Sequence, residues 1–284
     1  MAIAETRHGT VINADSAQVY ADLRILTARP SAEDEARVPH RLFGHVDAAD
    51  AGYSAARWAA EARDAIDATL AEGRLPVLVG GTGLYIRTLL DGIAPVPAID
   101  PAIREDVRAL PVAEVHAALA RLDPAAAARL APADTTRVAR ALEVVRSTGR
   151  TLADWQAHRE GGIADRVDVR ALILTPDRDW LNARIDARFA AMANEARAEV
   201  ATLLARTDIP ADAPIRRAIG VREVAAIVDG TLTLDQAIQA GALATRQYAK
   251  RQYTWLRHQP PADWVRAHAL GADERLTQFE TILR

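Results

Sequence analysis

The sequence of 284 residues contains no cysteine, so disulfide bonds and thiolate metal sites are excluded. No apolar run reaches the ~18 residues that a membrane-spanning helix needs, and no membrane partner is therefore expected. Residues 1–8 lack a basic segment leading into an apolar core, so a signal peptide is not predicted. A cytoplasmic enzyme fits these absences best.

An excess of charge of one sign is also missing, because 35 Lys and Arg residues oppose 38 Asp and Glu residues and leave a net charge of −3. This balance does not favour nucleic-acid binding. It does not exclude it either, since basic residues clustered on one face would suffice. The length fits one large domain or a core with a smaller module.

An apolar, β-branched run near the start of the chain ends in polar side chains. Residues 7–19 predict a strand, and Asp15, Ser16 and Gln18 follow its buried part. Ligands of open α/β sheets bind beyond the carboxyl ends of the strands, so Asp15 is a candidate functional residue. The alternative is that this carboxylate only caps the next helix.

Strands and helices then alternate along the chain. Residues 24–43 indicate irregular structure, after which the pattern predicts a helix at 54–72, a strand at 75–79 and a helix at 84–91. This alternation predicts an α/β fold with a parallel sheet.

The middle of the chain shows only helix and turn patterns, which indicates a helical insertion. A strand is predicted after it at 167–174, and the tail beyond Pro260 is expected to be peripheral. Further helices are predicted at 179–206, 215–228 and 234–258. The predicted domains are a catalytic α/β core with C-terminal helices, residues 1–94 and 166–284, and the insertion, residues 95–165.

A glycine-rich turn, Gly80 to Gly83, lies between a predicted strand and a predicted helix. Its backbone N–H groups could approach a phosphate closely, and Thr82 adds a hydroxyl. The turn is not a Walker A motif and lacks the third glycine of the dinucleotide fingerprint. The alternative is a tight turn without a ligand, in which the backbone torsion angles require glycine. A dinucleotide-dependent oxidoreductase is the alternative enzyme class.

Basic residues form several separate clusters. Arg184 and Arg188 are four residues apart on one helical face, which suits pyrophosphate. Without further context, a solvated face with Asp186 as counter-ion is the favoured alternative. Residues 246–257 interleave cations with aromatic rings, a pattern typical of RNA contacts. Plain surface charge is the alternative for every cluster. His40 and His45 lack the partners of a zinc site.

Six motifs in one order resemble the bacterial tRNA dimethylallyltransferase (isopentenyltransferase) family over nearly the whole chain. They are Asn13 to Tyr20, Thr27 to Pro30, Pro39 to Leu42, Gly80 to Tyr85, Ala141 to Val144 and Lys250 to Arg257. The resemblance implies a P-loop-NTPase-like parallel sheet flanked by helices, with an inserted all-helical domain.

This resemblance also implies an activity: transfer of a dimethylallyl group from dimethylallyl diphosphate to the exocyclic amine of the adenosine 3′ of the tRNA anticodon. Asp15 would be the general base. Thr82 would assist catalysis at the diphosphate, and Arg188 would bind that diphosphate. The implied tRNA-binding residues are Asp15, Ser16, Ala17, Gln18, Arg104, Thr136, Arg137, Val138, Ala139, Arg140, Arg217, Ala218, Ile219, Gly220, Val221, Arg222, Lys250, Arg251, Gln252, Tyr253, Thr254, Trp255, Leu256 and Arg257.

The partners implied in the same way are the tRNA anticodon stem-loop and dimethylallyl diphosphate. A nucleotide-binding core of the ATP-binding type, Mg²⁺ as cofactor and a monomeric state are expected as well. An inactive tRNA-binding remnant, which keeps basic surfaces but no phosphate chemistry, is a further alternative.

Two departures from the family pattern stand out. The family opens with a strand and a P-loop, Gly-x-x-x-x-Gly-Lys-Ser/Thr, and these 284 residues contain neither. We therefore expect an exposed apolar sheet edge, no P-loop hydroxyl for Mg²⁺, a start at an internal methionine, and little or no transferase activity of the chain as written. The stretch from Met192 to Arg197 also lacks a glycine usual in the family, which questions that helix junction.

Overall fold

The computed structural model describes residues 1–268, 271, 276–277, 279 and 281–282. These residues form two compact units, residues 1–87 with 166–284, and residues 88–165. The sequence placed the first boundary at 94/95, whereas the structural division falls inside a helix. The helices are α1 Ala2–Thr6, α2 Ala32–Arg37, α3 Ala55–Ala71, α4 Gly83–Asp91, α5 Pro101–Ala109, α6 Val112–Leu122, α7 Pro124–Arg129, α8 Thr135–Thr148, α9 Leu152–Gln156, α10 Arg178–Glu195, α11 Arg197–Ala205, α12 Val221–Val228 and α13 Leu234–His258. The strands are β1 Gly9–Asn13, β2 His40–Arg41, β3 Leu75–Val79, β4 Leu172–Leu174 and β5 Val265–Ala267.

Strand β1 lies in the middle of a three-stranded parallel sheet of order β2-β1-β3. All five of its residues are buried, because the strand is covered on both faces and has a neighbour on each side. Asn13 pairs with Val79 at the carboxyl end of the sheet. This parallel sheet with flanking helices confirms the predicted α/β class.

Strand β3 forms an edge of this sheet. It contains Pro76, which has no N–H to donate and is tolerated on edge strands. Leu78 is 36% and Val79 50% exposed, so apolar side chains line this edge. A second parallel sheet pairs β4 with β5, and Leu174 and Val265 are exposed there.

Several predicted elements differ from the observed ones. The strand predicted at 7–19 is limited to β1, because a short helix precedes it and a polar turn follows. Residues 24–43, predicted as irregular, contain α2 and β2. The strand predicted at 167–174 forms only in its last three residues. The tail beyond Pro260 is not simply peripheral, since β5 pairs with β4.

The helix predicted at 179–206 is two helices, α10 and α11, that meet at Ala196. The helix predicted at 215–228 begins as a 3₁₀ turn, Pro214–Arg217, and becomes α-helical only at Val221. Gly220 separates the two parts with a φ of 96°, a left-handed conformation that glycine adopts without strain. Sequence periodicity did not detect either break.

Other helix boundaries follow their capping signals. Ser54 accepts a hydrogen bond from Arg57 N–H at the start of α3, and the prediction of this helix is confirmed. Thr233 and Gln236 form a capping box at the start of α13, whose predicted bounds are also confirmed. Asp100 and Asp123 cap α5 and α7 in the predicted helical segment.

The helical unit has its own core. Val107, Leu119, Val138 and Leu142 lie at its centre, contributed by α5, α6 and α8. Apolar side chains recur at helical spacing on α8, and this face is buried. The unit therefore has the packing of an independent small domain.

In the α/β unit, α10 packs against α13 through Ile185, Phe189 and Ala242. A Cβ on Gly241 would lie 1.9 Å from the Phe189 ring, so glycine is required for this close approach. No helix among the described residues is long and apolar enough to span a membrane.

Candidate active site

The carboxyl end of β1 is shaped by the buried amide of Asn13. Its Oδ1 accepts from Asp15 N–H at 2.8 Å, and its Nδ2 donates to the carbonyls of Asp15 and Leu42, each at 3.0 Å. Trp58 Nε1 donates to the Asn13 carbonyl at 3.0 Å. These directed bonds turn the chain sharply, so that residues 15–18 leave the sheet in one fixed orientation.

Asp15 lies at this turn, half-buried. Its Oδ1 accepts from Ala17 N–H at 2.8 Å, which closes a local Asx turn and fixes the carboxylate. This carboxylate does not cap a following helix, because residues 16–19 form turns. The capping alternative for Asp15 therefore fails.

The glycine turn lies directly beside Asp15. Ser16 N–H donates to Thr82 Oγ1 at 3.0 Å, and the Thr82 hydroxyl lies 3.3 Å from Ser16 Oγ. Thr82 N–H donates to the Ala14 carbonyl at 3.2 Å. A Cβ on Gly80 would lie 2.3 Å from the carbonyl of Ala14, so this close approach requires glycine. Two segments far apart in sequence thus form one polar site.

Helix α13 covers the glycine turn. Gln252 Nε2 donates to the Gly81 carbonyl at 3.1 Å. One turn along, the Trp255 ring occupies the space that a side chain on Gly83 would need. The glycines therefore serve the close approach of β1 and α13, while their remaining N–H groups at the start of α4 can face an anion.

Aromatic rings border the same site. Burial raises the pKa of the Tyr248 phenol, and the nearby Asp15 carboxylate raises it further, although contacts with Thr82 and Gln252 oppose the shift. Burial also raises the pKa of Tyr85, with smaller contributions from Tyr20 and Asp15. Both phenols are therefore neutral hydrogen-bonding groups at neutral pH.

The predicted diphosphate ligand Arg188 is exposed on α10. Neither a hydrogen bond nor an ion pair joins it to another residue that the structure describes. On the same helix Asp186 forms an ion pair with Arg246 of α13 rather than with Arg184 or Arg188, so it is not the counter-ion that the alternative expected. Arg184 lies over the Trp180 ring at 4.9 Å.

In the helical unit, three arginines surround one buried carboxylate. Arg104, Arg108 and Arg140 place guanidinium nitrogens 3.9, 3.6 and 3.8 Å from the oxygens of Glu143. We call these three arginines and Glu143 the arginine cluster. One buried carboxylate is thus shared by three guanidinium groups. Arg108 was missing from the predicted set.

The remaining predicted RNA contacts fall into three groups. Some side chains are exposed, and they are Thr136, Arg137, Arg217, Arg222, Lys250, Arg251, Thr254 and Arg257. Others are buried or engaged within the protein: Val138 and Val221 are buried, Gln18 and Gln252 bond loop carbonyls, Tyr253 donates to the Pro176 carbonyl, and Trp255 packs on Gly83. Ala17, Ala139, Ala218, Ile219 and Leu256 are half-buried, and Gly220 is buried.

Sequence reasoning missed the supporting residues Asn13, Trp58 and Tyr248 as parts of the site. Asn13 carried a usable signal, because a polar amide at the end of an apolar strand must find partners when it is buried. Trp58 carried none, since it has the pattern of an ordinary core residue of a helix. Tyr248 lies within the cation–aromatic stretch 246–257, but it was not among the predicted site residues.

The fold and this site define an α/β transferase: a carboxylate and a hydroxyl meet at a strand end beside a glycine turn that can face phosphate. The family model described as IPP transferase matches residues 18–259. The chain therefore belongs to the tRNA dimethylallyltransferase (isopentenyltransferase) family of prenyltransferases, and the resemblance noted in the sequence is confirmed.

A tRNA dimethylallyltransferase of Sphingopyxis alaskensis is 65% identical over 260 residues, covering 91% of this chain and 84% of the relative. The structure of the full-length tRNA isopentenylpyrophosphate transferase of Bacillus halodurans is 32% identical, with a TM-score of 0.69, covering 99% of this chain and 89% of that one. A eukaryotic dimethylallyltransferase acting on tRNA shares the fold at 24% identity and a TM-score of 0.82, covering 99% of this chain and 74% of that one. Nothing in these comparisons favours the oxidoreductase or the inactive remnant.

Proposed function

We propose that this chain transfers the dimethylallyl group of dimethylallyl diphosphate to the exocyclic amine of the adenosine 3′ of a tRNA anticodon. The observation that best supports this proposal is the 3.0 Å hydrogen bond from Ser16 N–H to Thr82 Oγ1, which joins the Asp15 turn to the glycine turn. This bond supports the proposal because it brings the turn that carries Asp15, the proposed base, next to the turn that carries Thr82, the proposed donor.

The chemistry follows from this juxtaposition. The amine nitrogen attacks the allylic carbon, the carbon–oxygen bond breaks, and diphosphate leaves with the bonding electrons. An aromatic amine is a weak nucleophile, so Asp15 takes its proton as the bond forms, a contribution of ~10²–10⁴-fold for general bases. Thr82 and the N–H groups at the start of α4 stabilise the charge that gathers on diphosphate, and Arg188 binds its far end.

The adenosine must leave its base stack to reach Asp15, at a cost of a few kcal/mol. Binding of the RNA backbone offsets this cost. The arginine cluster and the exposed cations of α13, Lys250, Arg251 and Arg257, are the groups we assign to that backbone. Their support is positive charge rather than any observed RNA contact, together with the exposure of every one of these cations except Arg140, which is half-buried.

No group of three or more His, Asp or Glu among the described residues could hold a metal ion. Mg²⁺ keeps most of its waters and commonly binds through one or two carboxylates together with substrate phosphates. The residues present therefore do not form a Mg²⁺ site by themselves, and no step above depends on the metal or on ATP.

We further propose that full activity needs a strand and a P-loop beside β3. The support is the exposed apolar edge at Leu78 and Val79 and the absence of a Walker A motif from these 284 residues. We also expect a cytoplasmic protein, for which the lack of cysteine is the support, and a monomer, as the family resemblance implies. Size-exclusion chromatography with light scattering tests the monomer.

The proposed function is tested by incubating the chain with a tRNA anticodon stem-loop and dimethylallyl diphosphate, and measuring prenylated RNA. The same measurement is made on a version extended upstream by a strand and a P-loop. We expect slow transfer by the chain and a much faster rate for the extended version. Equal, robust rates would contradict the P-loop proposal, whereas no transfer by either version would contradict the function.

A further inference from the structure

The segment Leu23–Ala28 lies next to the active site and is held in a strained backbone conformation. Leu23 has a φ of 58° and Ala28 a φ of 54°, both in the left-handed region that side chains disfavour. Such residues cost on the order of 1–3 kcal/mol each and persist only where the surroundings hold them. The contacts that hold this segment therefore matter.

Glu199 on α11 supplies one of these contacts. Its Oε2 accepts from Ile25 N–H at 2.9 Å, and its Oε1 accepts from Leu26 N–H at 2.6 Å. Both carboxylate oxygens thus bond consecutive backbone donors about 170 residues earlier in the sequence. Charge-assisted bonds of this kind are short and strong, so the carboxylate fixes both position and orientation of the segment.

The opposite contact comes from Gln18. Its Nε2 donates to the carbonyls of Thr27 and Ala28, both at 2.9 Å. Carbonyls cannot donate, so the orientation of the Gln18 amide is unambiguous. Both amide protons are occupied, and Oε1 is left as an acceptor with no hydrogen bond from any residue that the structure describes. The position of residues 27 and 28 therefore fixes the position of Gln18 Oε1.

We infer that Glu199 is a positioning residue for recognition of the acceptor base, acting through the Leu23–Ala28 segment and Gln18. Glu199 holds the segment, the segment holds the Gln18 amide, and Gln18 Oε1 accepts one proton of the exocyclic amine. Asp15 takes the other proton in the reaction. This inference rests on the proposed function, because it assumes that an adenosine amine enters the site.

A purely structural role for Glu199 makes a different prediction. Its removal would then lower stability and weaken every RNA equally. A positioning role predicts a selective loss, since only a base that carries an amine gains from Gln18 Oε1. Discrimination between two RNAs that differ in this amine separates the two roles.

The test measures binding of two anticodon stem-loops, one with adenosine and one with purine riboside at the target position, by wild type and by Glu199→Gln. Glutamine keeps the size of the side chain. Its NH₂ group, however, faces one of the two backbone N–H donors and cannot accept from it. Wild type is expected to bind the adenosine RNA about tenfold more tightly, the value of one hydrogen bond to a charged or well-fixed group. For Glu199→Gln this ratio falls several-fold, because the Gln18 hydrogen bond is lost while the Asp15 carboxylate still accepts from the amine.

Gln18→Ala is expected to lower this ratio to the same extent, and the double variant to lower it no more than either single one, because the residues act in series. Glu195→Gln is the matched control: it removes the same charge from an exposed residue at the end of α10 and should keep the wild-type ratio. Thermal unfolding of each variant shows whether it is folded.

An unchanged ratio in a folded Glu199→Gln variant overturns the positioning role. An equal loss of affinity for both RNAs overturns it as well. If wild type itself fails to distinguish the RNAs or binds neither, then the inference falls together with the proposed recognition of adenosine. The first two results leave the proposed function intact.

Discussion

The strand-end site and the arginine cluster are held together in opposite ways. At the strand end, Asn13, Asp15, Ser16 and Thr82 are joined by directed hydrogen bonds of 2.8–3.3 Å. In the cluster, arginines lie 3.6–3.9 Å from Glu143, held by charge rather than by aligned bonds. Proton transfer needs fixed geometry, whereas binding of an RNA backbone needs mainly positive charge. We therefore expect rate and affinity to be separable by substitution.

The largest effect is expected for Asp15→Ala. Loss of the general base should lower kcat by about 10²–10⁴-fold. The affinity for a tRNA stem-loop should change little, because Asp15 contributes no positive charge to backbone binding. Single-turnover rates and a binding titration check both parts. An unchanged kcat would remove Asp15 as the base.

Thr82→Val should have the next largest effect. It keeps the shape but removes the acceptor of Ser16 N–H and a donor to diphosphate, so kcat should fall by about 10²-fold, as for loss of one donor to a developing charge. RNA affinity should again be kept. A Thr82→Val variant with normal kcat but weaker RNA binding would contradict the separation of rate and affinity between the two regions.

Gly80→Ala tests the rigidity of the strand end. The added Cβ would meet backbone atoms of Ala14 at 2.3 Å, so the free energy of unfolding should fall by about 1–3 kcal/mol, as for overpacked cores. Gly52→Ala is the control, because its Cβ would meet only Asp50 Oδ1 at 3.4 Å. Equal denaturation midpoints for the two variants would show that the close approach is not required.

The smallest effect is expected in the arginine cluster. Arg104→Ala should weaken RNA binding only a few-fold and reduce the salt slope of log K by about one, with kcat unchanged at saturating RNA. Arg129→Ala is the control, since Arg129 is exposed on α7 outside the cluster. A loss of kcat in Arg104→Ala would assign this region to the chemistry instead.

The two regions also differ in how far the sequence predicted them. Hydrophobic periodicity, capping residues and glycines predicted the strand, the glycine turn and the helices α3, α4 and α13, because these sequence signals are local. The family resemblance assigned Asp15 and Thr82 to one reaction, but it did not predict the contact between Ser16 and Thr82. No local pattern in residues 14–82 predicts that contact.

What the sequence missed depends on long-range pairing. β5 has only three residues and is stabilised by β4, which lies about 90 residues earlier. The resemblance questioned the helix junction between Met192 and Arg197, but no helix-breaking residue there predicts that α10 and α11 meet at Ala196. Glu199 reads as an ordinary charged residue in a first helical turn, and only the fold shows that both of its oxygens bond the Leu23–Ala28 segment.

One measurement tests the central claim that the strand end and the glycine turn form a single prenyl-transfer site. The chain and its P-loop-extended version are incubated with isotopically labelled dimethylallyl diphosphate and an anticodon stem-loop, and the digested nucleosides are analysed by mass spectrometry. The account predicts label only on the exocyclic amine of the adenosine 3′ of the anticodon, and none when Asp15 is replaced by alanine. Label on another nucleoside, or equal labelling by the Asp15→Ala variant, would contradict it.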